Sequence, residues 1–217
     1  MRAPAFVVLA ASLSLSMSLF ALPQGDQSAP RGYTRILVQK HGRWVMDGWR
    51  HFGPGDFTLD STTGILETHG GMGLLWYTPR RYADFTLQLD YKVADSSSNS
   101  GVFIRVPAEP TSDDYIYHGW EIQINDGSPG IHTTAAVYDA EAPSSYATNP
   151  PGQWNRYLIT FRGSHITVVL NGKTVIDWDA VPRGKVKDFA ARGYIGLQNH
   201  EGGGPVWFRD IFVRELR

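Results

Sequence analysis

The chain of 217 residues carries 20 Lys and Arg against 21 Asp and Glu, a formal net charge of -1 that gives no footprint for nucleic acid or an anionic membrane. With 42% hydrophobic and 19% charged residues it is neither disordered nor a coiled coil. It has no cysteine, which excludes disulfides, thiolate metal sites and thiol nucleophiles.

Residues 1–22 stand apart. Arg2 precedes an uncharged run over residues 6–21, and Pro23, Gln24, Gly25 and Asp26 then turn polar. This is the pattern of a secretory signal peptide over residues 1–21, with cleavage after Ala21 or Ser18. The run is short for a membrane span of about 20 residues, and no cysteine follows it for lipid attachment. The expected product is secreted or periplasmic, has no stable membrane association, and is stabilised by core packing without disulfides. Residues 22–34 read as a flexible leader to a single domain over residues 35–217.

From there the pattern has period 2, the mark of strands with one buried face. Short strands are predicted over residues 35–39, 64–68 and 73–77. In residues 84–93, Phe85, Leu87, Leu89, Tyr91 and Val93 alternate with Thr86, Gln88, Asp90 and Lys92. Residues 101–106 follow, then a long loop over 107–117. In residues 119–125, Trp120, Ile122 and Ile124 alternate with Glu121, Gln123 and Asn125. A short strand over 135–138 leads to a second long loop, 139–151. Strands are predicted over 154–162, 165–170 and 173–178, the last two joined by Asn171-Gly172, which suits a two-residue type I′ turn. One helical turn is predicted over 188–192, then strands over 193–198 and 206–216. The sum is an all-β antiparallel β-sandwich of jelly-roll type.

Strand parity places the polar groups. Glu121, Gln123 and Asn125 share one face; Tyr194, Gln198 and His200 share another; Phe103 and Arg105 are predicted to lie opposite Val102, Ile104 and Val106. A carboxylate, carboxamides, a guanidinium and an imidazole on a sheet, with aromatic rings nearby, suit a polyhydroxylated ligand. A solvated outer face with an Arg105–Glu121 surface pair is the plainer alternative. His118 and His132 lie near the loops flanking the Trp120 strand, and Asp113 and Asp114 form an acidic pair on one of them.

At these residues the sequence resembles the 3-keto-disaccharide hydrolase domain family, a branch of the concanavalin A-like lectin/glucanase fold. The resemblance rests on Asp47-Gly48-Trp49, the run Ser98-Asn99-Ser100-Gly101-Val102-Phe103-Ile104-Arg105, and the run Trp120-Glu121-Ile122-Gln123-Ile124-Asn125-Asp126. Ala135-Ala136-Val137-Tyr138, Pro151-Gly152-Gln153-Trp154-Asn155, Gly196-Leu197-Gln198-Asn199-His200 and Val206-Trp207-Phe208-Arg209-Asp210-Ile211 follow in the family's order. Two positions depart from its usual pattern. Asn199 stands where the family has an acid, with Glu201 after the histidine, and Thr134 stands where it has glycine.

The resemblance implies cleavage of a glycoside already oxidised at C3, through loss of the acidified C2 proton, elimination of the aglycone and hydration. It assigns catalytic roles to His200 and Glu121, either of them as base or as acid, and to Arg105, with Gln198, as the group polarising the keto oxygen. Asn99 and Gln123 would hold hydroxyls, with Tyr138 and Trp120 as aromatic platform. The implied partner is a carbohydrate small molecule. No compact ligand motif calls for a metal, although a divalent cation held by carboxylate, imidazole or amide oxygens is a cofactor this chemistry accepts. Two other functions fit the same sandwich: a noncatalytic carbohydrate-binding module, and a glycosidase with two opposed carboxylates, for which Asp126 is poorly placed relative to Glu121.

Overall fold

The computed structural model describes residues 28–217; the expected signal peptide and residues 22–27 of the expected leader lie outside the described residues. Fifteen strands run in chain order: β1 Thr34–Arg35, β2 Val38–Lys40, β3 Arg43–Val45, β4 Trp49–Phe52, β5 Asp56–Asp60, β6 Ile65–His69, β7 Gly73–Tyr77, β8 Phe85–Val93, β9 Ser100–Val106, β10 Trp120–Ile124, β11 Asn155–Arg162, β12 His165–Leu170, β13 Lys173–Asp179, β14 Tyr194–Asn199 and β15 Val206–Glu215. They form an antiparallel sandwich. The eight-stranded sheet has the order β13-β12-β11-β8-β15-β6-β5 with β1 added on β15, and the five-stranded sheet has the order β10-β9-β14-β7-β4. β2 and β3 form a separate hairpin.

The period-2 residues meet between the sheets. Phe85, Leu87, Leu89 and Tyr91 of β8 and Tyr157, Ile159 and Phe161 of β11 pack against Val102, Ile104, Trp120, Ile122, Ile195 and Leu197 of the other sheet. Burying such side chains is worth about 1.5–3 kcal/mol each, which lets a cysteine-free sandwich stand without staples. The Asn171-Gly172 turn behaves as its sequence requires: both residues have positive φ, 51° and 83°, and Leu170 pairs with Lys173 across it.

Three local expectations are corrected. Residues 135–138 do not form a strand. They run beside β10, bonded through Ala135 N to Gln123 O and Tyr138 N to Glu121 O, but Ala135 sits at φ 71° and breaks the ladder, leaving only isolated bridges. Residues 188–192 form no helical turn; the segment is pinned instead by long-range contacts, the His118–Asp188 pair at 2.6 Å among them. Thr34 pairs with Val213 at the edge of β15. The predicted strand over 35–39 is divided between β1 and β2 because both Ile36 and Leu37 turn into the core.

Candidate functional site

The outer face of the five-stranded sheet is not uniformly solvated. At one end a small apolar cluster of Leu74, Trp76, Phe103, Val106 and Tyr115 lies under residues 107–118. At the other end a cleft of about 340 Å³ opens, walled by the long loops and lined by Glu121, Gln123, Gln198, Asn99, His200, Tyr138 and Lys185 among others. Parity delivers the floor. Glu121 and Gln123 project from β10, and Gln198 projects from β14, beside β9. Gly101 of β9 pairs with Gln123 and leaves the middle of the floor without a side chain. That gap is occupied by Glu121: a Cβ at Gly101 would lie 2.1 Å from its Oε1.

Glu121 is the electrostatic centre. It is only 6% exposed, and its Oε1 is buried with no hydrogen-bond partner. Burial pushes its pKa from 4.5 up to about 8, and the Lys185 ammonium draws it back only in part. Lys185 donates to the Tyr138 hydroxyl at 3.2 Å, and this bond helps hold its own pKa above the usual value. The lysine is delivered by a clamped loop. Its backbone N–H donates to Asp139 Oδ2 at 2.7 Å, while the other Asp139 oxygen lies 3.2 Å from His132 Nε2. Gly184, at φ 58°, permits this approach, since a Cβ there would lie 2.0 Å from the Asp139 carbonyl oxygen.

Two further acceptors, Asn99 Oδ1 and Gln198 Oε1, are buried without partners. Together with Glu121 they make a cleft floor short of donors, and sugar hydroxyls supply donors. Gln123 has its Oε1 engaged by the Ile124 N–H at 2.9 Å, so its amide nitrogen is the group left for a ligand. His200 is half-exposed at the rim, with Nδ1 2.7 Å from the Glu201 carbonyl oxygen. That contact fixes Nδ1 as the donor and leaves Nε2 to exchange protons. The orienting group is thus the backbone of Glu201, not its carboxylate.

Asn199 has no catalytic contact. It is fully buried; its Nδ2 donates to the carbonyl oxygens of Pro54, Gly70 and Gly71 at 3.0–3.1 Å, and its Oδ1 lies 2.9 Å from His51 Nε2. The side chain ties the β4–β5 turn to the β6–β7 turn beneath the cleft edge that carries Met72. An amide supplies the donor those carbonyls need, which an acid at this position could not.

Two predicted site residues lie elsewhere. Arg105 was expected to share the face of Phe103, but it turns into the sandwich. It sits at φ 54° in a bulge where β14 pairs Tyr194 with Val106 and Gly196 with Phe103, so two residues of β9 oppose one of β14 and the parity inverts. Its guanidinium donates to Ala83 O and Gly163 O, pairs with Asp84 at 3.2 Å, and stacks 3.7 Å over Phe161. It is neither paired with Glu121 nor near the keto group it was assigned to polarise. Trp120 faces the core, fully buried, with its ring 5.5 Å from both Trp178 and Phe189. Tyr138 lines the cleft in its place.

Sequence reasoning missed Lys185, because a lysine in a Lys- and Arg-rich loop carries no pattern, and Met72 and Ile116, which line the cleft from a turn and a loop. Of the loop residues it raised, His132 and Asp113 line the cleft, while His118 is engaged by Asp188. Asp126 accepts from Thr134 Oγ1 at 2.6 Å and is not among the lining groups. Among the described residues no three His, Asp or Glu side chains are grouped to hold a metal ion.

A galectin-like sandwich with a polar, acceptor-rich cleft on one sheet defines a protein of the carbohydrate-binding and carbohydrate-processing class. The chain belongs to the 3-keto-alpha-glucoside-1,2-lyase-like domain family, whose family model matches residues 41–214. No curated protein sequence matches it. Among solved structures it is similar to two proposed glycosyl hydrolases from Parabacteroides distasonis. One is 26% identical with a TM-score of 0.69, covering 85% of this chain and 99% of that one. The other is 22% identical with a TM-score of 0.70, covering 86% and 94%. A carbohydrate-binding module from Bacillus subtilis shares the fold at 15% identity and a TM-score of 0.51, covering 77% of this chain and 96% of that one. The function of the chain lies with carbohydrates.

Proposed function

We propose that the protein is an exported enzyme that cleaves the glycosidic bond of 3-keto-glycosides by elimination and hydration. The observation that carries this is Glu121: a carboxyl raised to about 8 by burial, facing a cleft beside a cation, is a stronger base when ionised than any solvated carboxylate. The C2–H of a 3-keto-glycoside is acidified by the neighbouring carbonyl. Glu121 takes that proton, and the C–H electron pair becomes the C2=C3 bond of an enolate. The enolate oxygen is held by Gln198 through its amide N–H groups and by the Lys185 ammonium, which takes the place first given to Arg105. Collapse of the enolate restores C3=O, forms C1=C2 and breaks the C1–O bond. The departing oxygen receives a proton from His200 Nε2. Water then adds its hydroxyl to C1 and gives its remaining proton to His200 Nε2, and a proton returns to C2 from Glu121. Asn99, Gln123 and Tyr138 hold the remaining hydroxyls.

Family membership and the acceptor-rich floor support this function. Asp113, the other carboxylate lining the cleft, keeps an ordinary glycosidase as the competing function. The deciding assay offers methyl 3-keto-α-glucoside and unoxidised methyl α-glucoside to the wild type, Glu121→Gln and His200→Ala. Cleavage of the keto sugar alone is expected, with a loss of about 10²-fold or more in each variant. Cleavage of the unoxidised glycoside at a similar rate, or full activity in both variants, overturns the mechanism. Residues 1–21, read as a signal peptide, would place the reaction in a periplasm or outside the cell.

A further inference from the structure

The cleft does not end at His200. A second cavity of about 270 Å³ shares Asn99 and His200 with it and continues over His69 and the Gly202–Gly204 turn. A third, of about 380 Å³, shares Glu67 with the second and lies on the outer face of the opposite, eight-stranded sheet, against Trp207. Three cavities linked by shared walls thus run from the reacting end of the cleft around the edge of the sandwich.

Trp207 is unusual for its place. Its strand neighbours on that face are charged, yet it presents a half-buried indole held in one orientation. Nε1 donates to Glu67 Oε2 at 3.0 Å, and the Lys92 ammonium lies 4.4 Å from the ring centroid. Thr58, Glu67, Trp207 and Lys92 form one cross-strand row, since Thr58 pairs with Glu67 and Trp207 pairs with both Glu67 and Lys92. The cavity before the indole is lined by Thr58, Asp60 and Glu67. A fixed aromatic ring flanked by carboxylates and a hydroxyl can take the C–H face and the hydroxyls of a pyranose with little ordering cost.

We propose that these cavities are one track for the aglycone, and that the substrate is an oligosaccharide whose leaving portion extends past a single sugar to a distal platform at Trp207. This rests on the proposed function for the meaning of "leaving portion", but the track itself is a binding claim. The second cavity, with His69, Glu67 and glycine backbone, is polar and takes the first leaving sugar; the third takes a later one.

The experiment compares methyl 3-keto-α-glucoside with α-1,4- and β-1,4-glucan oligosaccharides oxidised at C3 of the non-reducing sugar, with one to three sugars in the leaving portion. In at least one series kcat/KM is expected to rise with length, and Trp207→Ala is expected to remove about tenfold of it, the worth of one aromatic contact, while leaving the methyl glycoside unchanged. The unchanged methyl glycoside shows that the variant folds. Thr58→Trp, which fills the same cavity from an exposed strand position, is expected to give the same loss. Calorimetric titration of the unoxidised tetrasaccharides into wild type and Trp207→Ala judges the track apart from turnover: binding lost in the variant supports it even if no keto sugar is cleaved. Neither series gaining with length and no tetrasaccharide binding overturns it, as does a gain that both variants retain.

Discussion

Replacing Glu121 with Gln tests the electrostatics of the cleft through stability, independently of any substrate. Burial raises the carboxyl from 4.5 in the unfolded chain to about 8 in the fold. Between those pH values the unfolded chain has the group ionised and the folded chain has it protonated, so unfolding releases a proton and stability falls as pH rises. The full contribution is present below about pH 4.5 and is lost as pH climbs through about 8. A difference of that size corresponds to roughly 5 kcal/mol. Gln keeps the shape of the side chain and has no such titration. Urea unfolding of wild type and Glu121→Gln at pH 5, 7 and 9 is therefore expected to show the variant gaining on the wild type by several kcal/mol across the range, with roughly two thirds of the gain present by pH 7. A stability difference constant to within about 1 kcal/mol from pH 5 to 9 refutes the assignment of a proton to buried Glu121.

Three other outcomes follow from the same geometry. Arg105→Met removes the donors held by Ala83 O and Gly163 O and is expected to cost roughly 2–4 kcal/mol in urea unfolding, with kcat on the keto sugar within about twofold of wild type; a selective loss of activity would restore a role in the cleft. Lys185→Met removes the cation that lowers the Glu121 pKa, so the rise of kcat/KM with pH, which follows the ionised carboxylate, is expected to move to higher pH, with kcat down about 10²-fold; an unmoved pH profile argues against their coupling. Asn199→Asp turns a donor into a carboxylate facing the carbonyls of Pro54, Gly70 and Gly71 and is expected to cost roughly 2–4 kcal/mol in metal-free buffer, read by chemical unfolding; wild-type stability would show that the amide is not the tie between those turns.

The sequence alone carried the sandwich, because a two-residue period gives each strand one apolar face that a second layer must cover, as Leu87, Tyr91, Ile122 and Ile159 do in one core, and Asn171-Gly172 dictates its own turn. It also carried Glu121, Gln123 and Gln198, since alternation along an uninterrupted strand fixes which side chains share a face. Parity failed at Arg105, where a bulge inserted one residue and exchanged the faces, and bulges depend on the opposite strand. Lys185, Met72 and the clamp at Asp139 and Gly184 were invisible because loop residues are placed by partners far along the chain, which no periodicity records. Composition and pattern therefore determined an all-β, cysteine-free sandwich with a carboxyl on its outer sheet face, and the tie to carbohydrates came from the resemblance of its motifs to a known family. Only the tertiary structure decided that this carboxyl is buried over Gly101, that its cation is Lys185 and not Arg105, and that the cleft continues toward Trp207, because desolvation and loop placement are properties of packed neighbours and not of any one strand.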